Sequence, residues 1–171
     1  MIINTLGFGN PRLYDSKIVN KHLAYDLNDA EYREKWASFE QHDLIIISEV
    51  IEHCYTSPVK ILSFLKSLLL PGGYILITVP NALAIARRLR MLVGKHPYEM
   101  IRESRENPGH FREYAQCELV DSGQKAGLEF VSSWLENYSP SKNMAFNIIT
   151  SIFSIFPSLR QGLFVVLRKP L

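Results

Sequence analysis

The sequence predicts an α/β domain built on a mainly parallel, twisted sheet. Three observations lead there. The runs "HDLIIIS" (42–48) and "YILITVP" (74–80) are nearly continuous apolar stretches of strand length, the pattern of strands covered on both faces. Segments with Leu, Ile and Ala at helical spacing stand between such runs. The two kinds alternate along the chain, as parallel strands require, because each needs a crossover connection.

Each element has its own signal. An apolar run over 2–6 stops at Gly7 and Gly9, a strand entering a glycine turn. "KHLAYDLND" (21–29) reads as a short strand ending at Asp26. Residues 29–40 carry good helix formers behind Asn28 or Asp29 as N-cap. "SPVKILSFLKSLLLPGG" begins with Ser57 as N-cap and Pro58 at the first helical position, and Pro71-Gly72-Gly73 stops it. An amphipathic helix over 82–93 sets Arg87, Arg88 and Arg90 on a face expected to be solvated, with a phosphate or an acidic partner as the alternative. A polar excursion rich in Pro and Gly covers 94–114, followed by a helix to Gly127 and a strand over 128–138. A helix over 142–156 and a last strand over 162–170 complete the order, with no repeat or linker, so residues 1–171 are expected to form a single domain.

The totals narrow the function classes. A net charge of +2 on 171 residues gives no strong nucleic-acid signal. Cys54 and Cys117 lie far apart with no CxxC spacing, as expected of reduced thiols in a cytoplasmic protein. No signal peptide is expected, and "MAFNIITSIFSIF" (144–156) is too short and too interrupted to span a bilayer. If exposed, that stretch is the segment suited to peripheral membrane contact.

In open α/β sheets ligands bind beyond the carboxyl ends of the strands. Those ends here are Gly7 to Pro11, Asp26 to Asp29, Ser48 to His53 and Thr78 to Asn81. Glycines at 7 and 9 let backbone approach a ligand closely. A carboxylate at Asp26 suits the two hydroxyls of a ribose, although a turn or N-cap aspartate is the plain alternative.

The blocks "LGFG", "YDLND", "HDLIIISEVIEH", "LLLPGGYILITVPNA" and "GHFREYAQCELVDSGQKAGLEF" together resemble the class I S-adenosylmethionine-dependent methyltransferases over almost the whole chain. The resemblance implies a Rossmann-like three-layer αβα fold whose last strand is antiparallel. It implies an S-adenosylmethionine site at Gly7, Gly9, Asp26, Ser48 and Glu49. Two departures stand out. The segment between Asp26 and Asp43 is short for the family, so the third strand is expected to be absent or vestigial, leaving Trp36 or Phe39 to cover the adenine. Met1 stands directly before the first strand, so helices that cover the cofactor in relatives are not expected, and the site is expected to be open.

"SEVIEHCYTSP" (48–58) adds two carboxylates and an imidazole behind a buried strand. If a helix begins near residue 50, Glu49, Glu52 and His53 share one face at i, i+3 and i+4. With His110 from the excursion they make a ligand set for Mg²⁺, Mn²⁺ or Zn²⁺. This Glu-x-x-Glu-His pattern with a later histidine resembles the metal site of the small-RNA 3′-end 2′-O-methyltransferases, and ubiquinone-pathway O-methyltransferases carry a similar block. Three roles stay open for these residues: metal ligation; metal-free catalysis by His53, His110 or Glu49; and hydrogen bonding of the helix start. The function expected is O-methylation of a small molecule or sugar hydroxyl, with the excursion 94–114 on the substrate side. The competing reading is a degenerate methyltransferase fold that binds a ligand or partner without catalysis.

Overall fold

The computed structural model describes residues 4–7, 19–104, 108–137, 148, 152–153 and 155–171. Strands β1 (Asn4–Gly7) and β2 (Lys21–Ala24) pair in parallel. A four-stranded sheet follows, made of β3 (His42–Ser48), β4 (Leu69–Pro80), β5 (Glu129–Glu136) and β6 (Gly162–Arg168) in the order β3-β4-β6-β5. β3 runs parallel to β4, and β6 lies antiparallel between β4 and β5. The expected antiparallel last strand is therefore present. The helices are α1 (Pro58–Ser67), α2 (Ile85–Leu92) and α3 (Gln116–Lys125).

The pleat sorts the side chains. Ile47 of β3 pairs with Ile77 of β4, which pairs with Val165 of β6, and this inward row is buried. Ile61, Leu62 and Phe64 of α1 and Leu119 of α3 pack the same core, each fully buried. Gly123 lets α3 lie directly on the sheet: a Cβ there would stand 2.6 Å from Leu167 Cδ1. The alternate row, Leu44 and Ile46, is 53% and 61% exposed. β3 is therefore not covered on both faces as its apolar run predicts.

No strand lies between Asp29 and His42, as the short segment predicts, but the helix expected over 29–40 does not form either. Two 3₁₀ turns, Leu27–Glu31 and Arg33–Lys35, replace it, with Tyr32 extended between them. The reason is packing. Trp36 donates through Nε1 to Ala30 O at 3.0 Å and meets Phe64 of α1 edge-on, while Phe39 meets Tyr25. Burying an aromatic side chain is worth roughly 2 kcal/mol, whereas helix propensities differ by tenths of a kcal/mol per residue. Both aromatics are partly buried against the core.

At the carboxyl edge of β4, Asn81 is buried and fastens three chain segments. Its Nδ2 donates to Ser158 O and Arg160 O, and its Oδ1 accepts from Leu83 N. Asn81 also bridges in parallel to Tyr114, where the excursion returns to the sheet. The helix expected over 142–156, with the membrane contact assigned to it, falls largely outside the described residues. Among the described residues no helix is long and apolar enough to cross a membrane.

Candidate functional site

β3 ends at Ser48, and the chain turns sharply there. Glu49 has φ 52°, a left-handed conformation costly for a residue with a side chain. A single 3₁₀ turn, Ile51–His53, follows instead of the α-helix. Glu49, Glu52 and His53 therefore do not share an α-helical face. Glu49 Oε1 accepts from Thr78 Oγ1 at 3.3 Å, and Ser48 Oγ bonds the same hydroxyl at 2.8 Å. Glu49 stands outside the group that forms next door.

That group is Glu52, His53 and His110, each offering one ligand atom, all within 4.8 Å of one another. The backbone brings them together. Glu52 O accepts from Phe111 N at 2.8 Å and from Arg112 N at 3.3 Å, which draws the end of the excursion over the turn. The rings of His53 and His110 then stand 4.7 Å apart between centroids. His53 Nδ1 lies 2.9 Å from Gly109 O. A carbonyl only accepts, so His53 carries its proton on Nδ1 and leaves Nε2 as a bare lone pair. Gly109 has φ +83°, and a Cβ there would stand 3.0 Å from Glu99 Oε1, so glycine suits this carbonyl's placement.

Glu52 is the unusual member. It is 0% exposed, and among the described residues neither carboxylate oxygen has a hydrogen-bond partner. Burial pushes its pKa up to about 7, with the negative charge of Glu49 adding to the rise. A buried carboxylate without a partner is costly unless a proton or a cation neutralises it. The donor set of one carboxylate and two bare imidazole nitrogens fits a divalent transition ion. Beside it opens a cavity of about 950 Å³, lined on its apolar side by Leu83, Met100, Ile101 and Phe111, with His110 at its wall.

The cofactor residues named from the sequence stand at the carboxyl ends of strands in both sheets. Gly7 ends β1, while Gly9 lies outside the described residues. Asp26 caps the 3₁₀ turn after β2: its Oδ1 accepts from Asn28 N at 2.9 Å and from Asn28 Nδ2 at 3.1 Å. Both bonds use Oδ1, so the capping role and a ribose contact through the other oxygen are compatible. Ser48 and Glu49 are exposed at the next strand end. A carboxylate, a hydroxyl and a glycine, each at a strand's carboxyl end, are residue types that suit a nucleoside cofactor.

Sequence reasoning missed two residues. Glu113 is buried, accepts from His110 and is held by Arg87 of α2, an arginine expected to be solvated. An acid three residues after His110 was the only signal, and nothing in the sequence tied Arg87 to it.

Residues 5–133 match the methyltransferase-domain family. No curated protein matches the chain in sequence. Three solved structures share its fold. An S-adenosylmethionine-dependent methyltransferase from Mesorhizobium loti has a TM-score of 0.60 at 11% identity, covering 98% of this chain and 80% of its own. One from Listeria monocytogenes gives 0.59 at 11% identity, covering 99% and 81%. A chain of the Haloferax volcanii complex between the Trm112 methyltransferase activator and a methyltransferase gives 0.61 at 14%, covering 98% and 71%. With strand order, strand-end residues and family match in agreement, the chain belongs to the methyltransferase-domain family and is a class I S-adenosylmethionine-dependent methyltransferase.

Proposed function

We propose that this methyltransferase acts on a hydroxyl oxygen of a small molecule or sugar carrying adjacent hydroxyls, and that Glu52, His53 and His110 form its reactive centre. The observation that carries the reading is the buried, unpartnered Glu52 carboxylate beside two imidazoles whose Nδ1 atoms are already engaged.

S-adenosylmethionine, when bound, supplies a sulfonium methyl group that an oxygen nucleophile can take. Gly7 and Asp26 would hold it at the strand ends, with Ser48 and Glu49 bordering the acceptor. A divalent ion such as Mg²⁺, Mn²⁺ or Zn²⁺, when held by Glu52, His53 and His110, supplies Lewis acidity that favours the deprotonated acceptor hydroxyl. The two imidazoles serve either scheme. Through Nε2 they ligate the ion, or without it one of them accepts the acceptor's proton at Nε2. The residues lining the adjacent cavity offer an apolar wall for the rest of the acceptor.

The test uses the full chain with radiolabelled S-adenosylmethionine and a panel of catechol, vicinal-diol and single-hydroxyl acceptors. Methyl transfer is expected on adjacent hydroxyls, falling on chelation and returning with Mg²⁺, Mn²⁺ or Zn²⁺. Transfer that chelation leaves unchanged removes the ion and leaves the imidazole base. Transfer to amines or thiols alone overturns the reading.

A further inference from the structure

Resting on that reading of the site, we infer that Glu113, clamped by Arg87, is a positioning residue that sets the tautomer and orientation of His110.

Three observations meet here. Glu113 Oε1 lies 3.1 Å from His110 Nδ1. Arg87 engages both Glu113 oxygens, Nε to Oε2 and Nη2 to Oε1. The Glu113 side chain is 2% exposed and that of Arg87 22%. A guanidinium only donates and a carboxylate oxygen accepts, so Glu113 stands as the acceptor toward both Arg87 and His110. His110 must therefore donate from Nδ1. In the neutral ring its Nε2 then keeps the lone pair and is the nitrogen free to ligate or to accept a proton, in a residue that stands in one cluster with Glu52 and His53. His53 is set the same way by Gly109 O. Two imidazoles from different segments are thus held with matching tautomers, each by an acceptor at Nδ1. Second acceptors of this kind fix ring orientation and raise the basicity of the opposite nitrogen.

The arrangement also ties the site to α2. Arg87 sits on that helix, while Glu113 and His110 belong to the returning excursion. A purely structural ion pair would join α2 to the return without engaging His110. Here Oε1 serves both partners, so moving the Arg87 guanidinium moves the acceptor on which His110 hangs.

The experiment is long-range ¹H–¹⁵N correlation spectroscopy of ¹⁵N-histidine-labelled full chain, metal-free and at mildly alkaline pH where the imidazoles are neutral. In the wild type, His53 and His110 are both expected as Nδ1–H tautomers. Glu113→Leu, which removes the acceptor at similar volume, is expected to move His110 toward the Nε2–H form and leave His53 unchanged. Arg87→Met/Glu113→Leu repeats the measurement without an unpaired arginine. Mn²⁺ affinity of either variant is expected to fall about 10–100-fold. A wild-type His110 in the Nε2–H form overturns the inference whether or not the variants fold, and so does an unchanged His110 tautomer or, where the wild type binds Mn²⁺, an unchanged affinity in a folded variant. Should the wild type bind no Mn²⁺, the metal reading fails, and the tautomer of His110 still decides the role of Glu113.

Discussion

The imidazole of His110 crosses that of His53 nearly edge to face, at 81° between planes and 4.7 Å between centroids. One ring comes from the turn after β3 and the other from the end of the excursion, and both have Nδ1 occupied. In the neutral Nδ1–H tautomer each ring keeps its lone pair on Nε2.

His53→Ala and His110→Ala are each expected to lower kcat/KM by about 10²–10⁴-fold, the range of general-base and ligand losses. The two schemes part on rescue. If an ion is held, excess Mn²⁺ restores part of the rate in the single variants, since two ligands remain. If an imidazole is the base, added ion restores nothing, and one variant loses the acidic limb of the pH–rate profile. Full activity in both variants would remove the pair from the chemistry.

Asp26→Ala is expected to weaken S-adenosylmethionine binding by one to two decades, because a charge-assisted hydrogen bond is worth roughly 1.5–3 kcal/mol. The same change strips the cap from the turn that begins at Leu27, through Asn28 N. Asp26→Asn separates the two effects, since an amide oxygen still caps. Titration calorimetry should find Asp26→Asn stable but weak in binding. Wild-type affinity in that variant would assign Asp26 to the turn alone.

The legible parts of the fold were those decided by local pattern. Strands β3 and β4, helix α1 and the missing third strand follow from apolar runs, Ser57-Pro58 and a short segment. Residues 29–40 depart from the expected helix because Trp36 against Phe64 and Phe39 against Tyr25 gain more than helix propensity offers, and both partners lie outside the segment. The site divides the same way. Glu52 and His53 are visible as neighbours in sequence, and His110 through its loop. Glu49 fails because its left-handed φ ends the strand where a helical face was assumed. Glu113 and Arg87 were hidden because their pairing depends on the returning excursion docking at Asn81 and Ala82, just before α2, which no local pattern encodes.

Gly123→Ala is expected to destabilise the fold by up to about 2 kcal/mol in urea unfolding. Alanine gains helix propensity of about 1 kcal/mol, but a Cβ 2.6 Å from Leu167 Cδ1 forces a shift in a fully buried side chain. Overpacking of that kind costs about 1–3 kcal/mol and wins narrowly. Adding Leu167→Val makes room, so the double variant should lose less than the two single losses combined. Additive losses would show that α3 and β6 adjust independently.

Glu52 makes stability depend on pH with a sign opposite to that of most carboxylates. Its pKa rises from the ordinary 4.5 to about 7 through burial, so the folded metal-free protein holds a proton that the unfolded chain releases. The resulting stability is fully present below about pH 4.5 and is lost as pH rises through about 7. The whole loss is on the order of 3 kcal/mol, at 1.36 kcal/mol per pKa unit. Glu52→Gln keeps the volume and has no proton to lose. The difference in unfolding free energy between wild type and Glu52→Gln, measured without metal, should therefore fall across this window and level off above it. A divalent ion that replaces the proton should reverse the trend, stabilising the wild type near neutral pH and leaving Glu52→Gln little changed. A difference that stays flat from acid to neutral pH would mean that the Glu52 carboxylate is not held neutral in the fold.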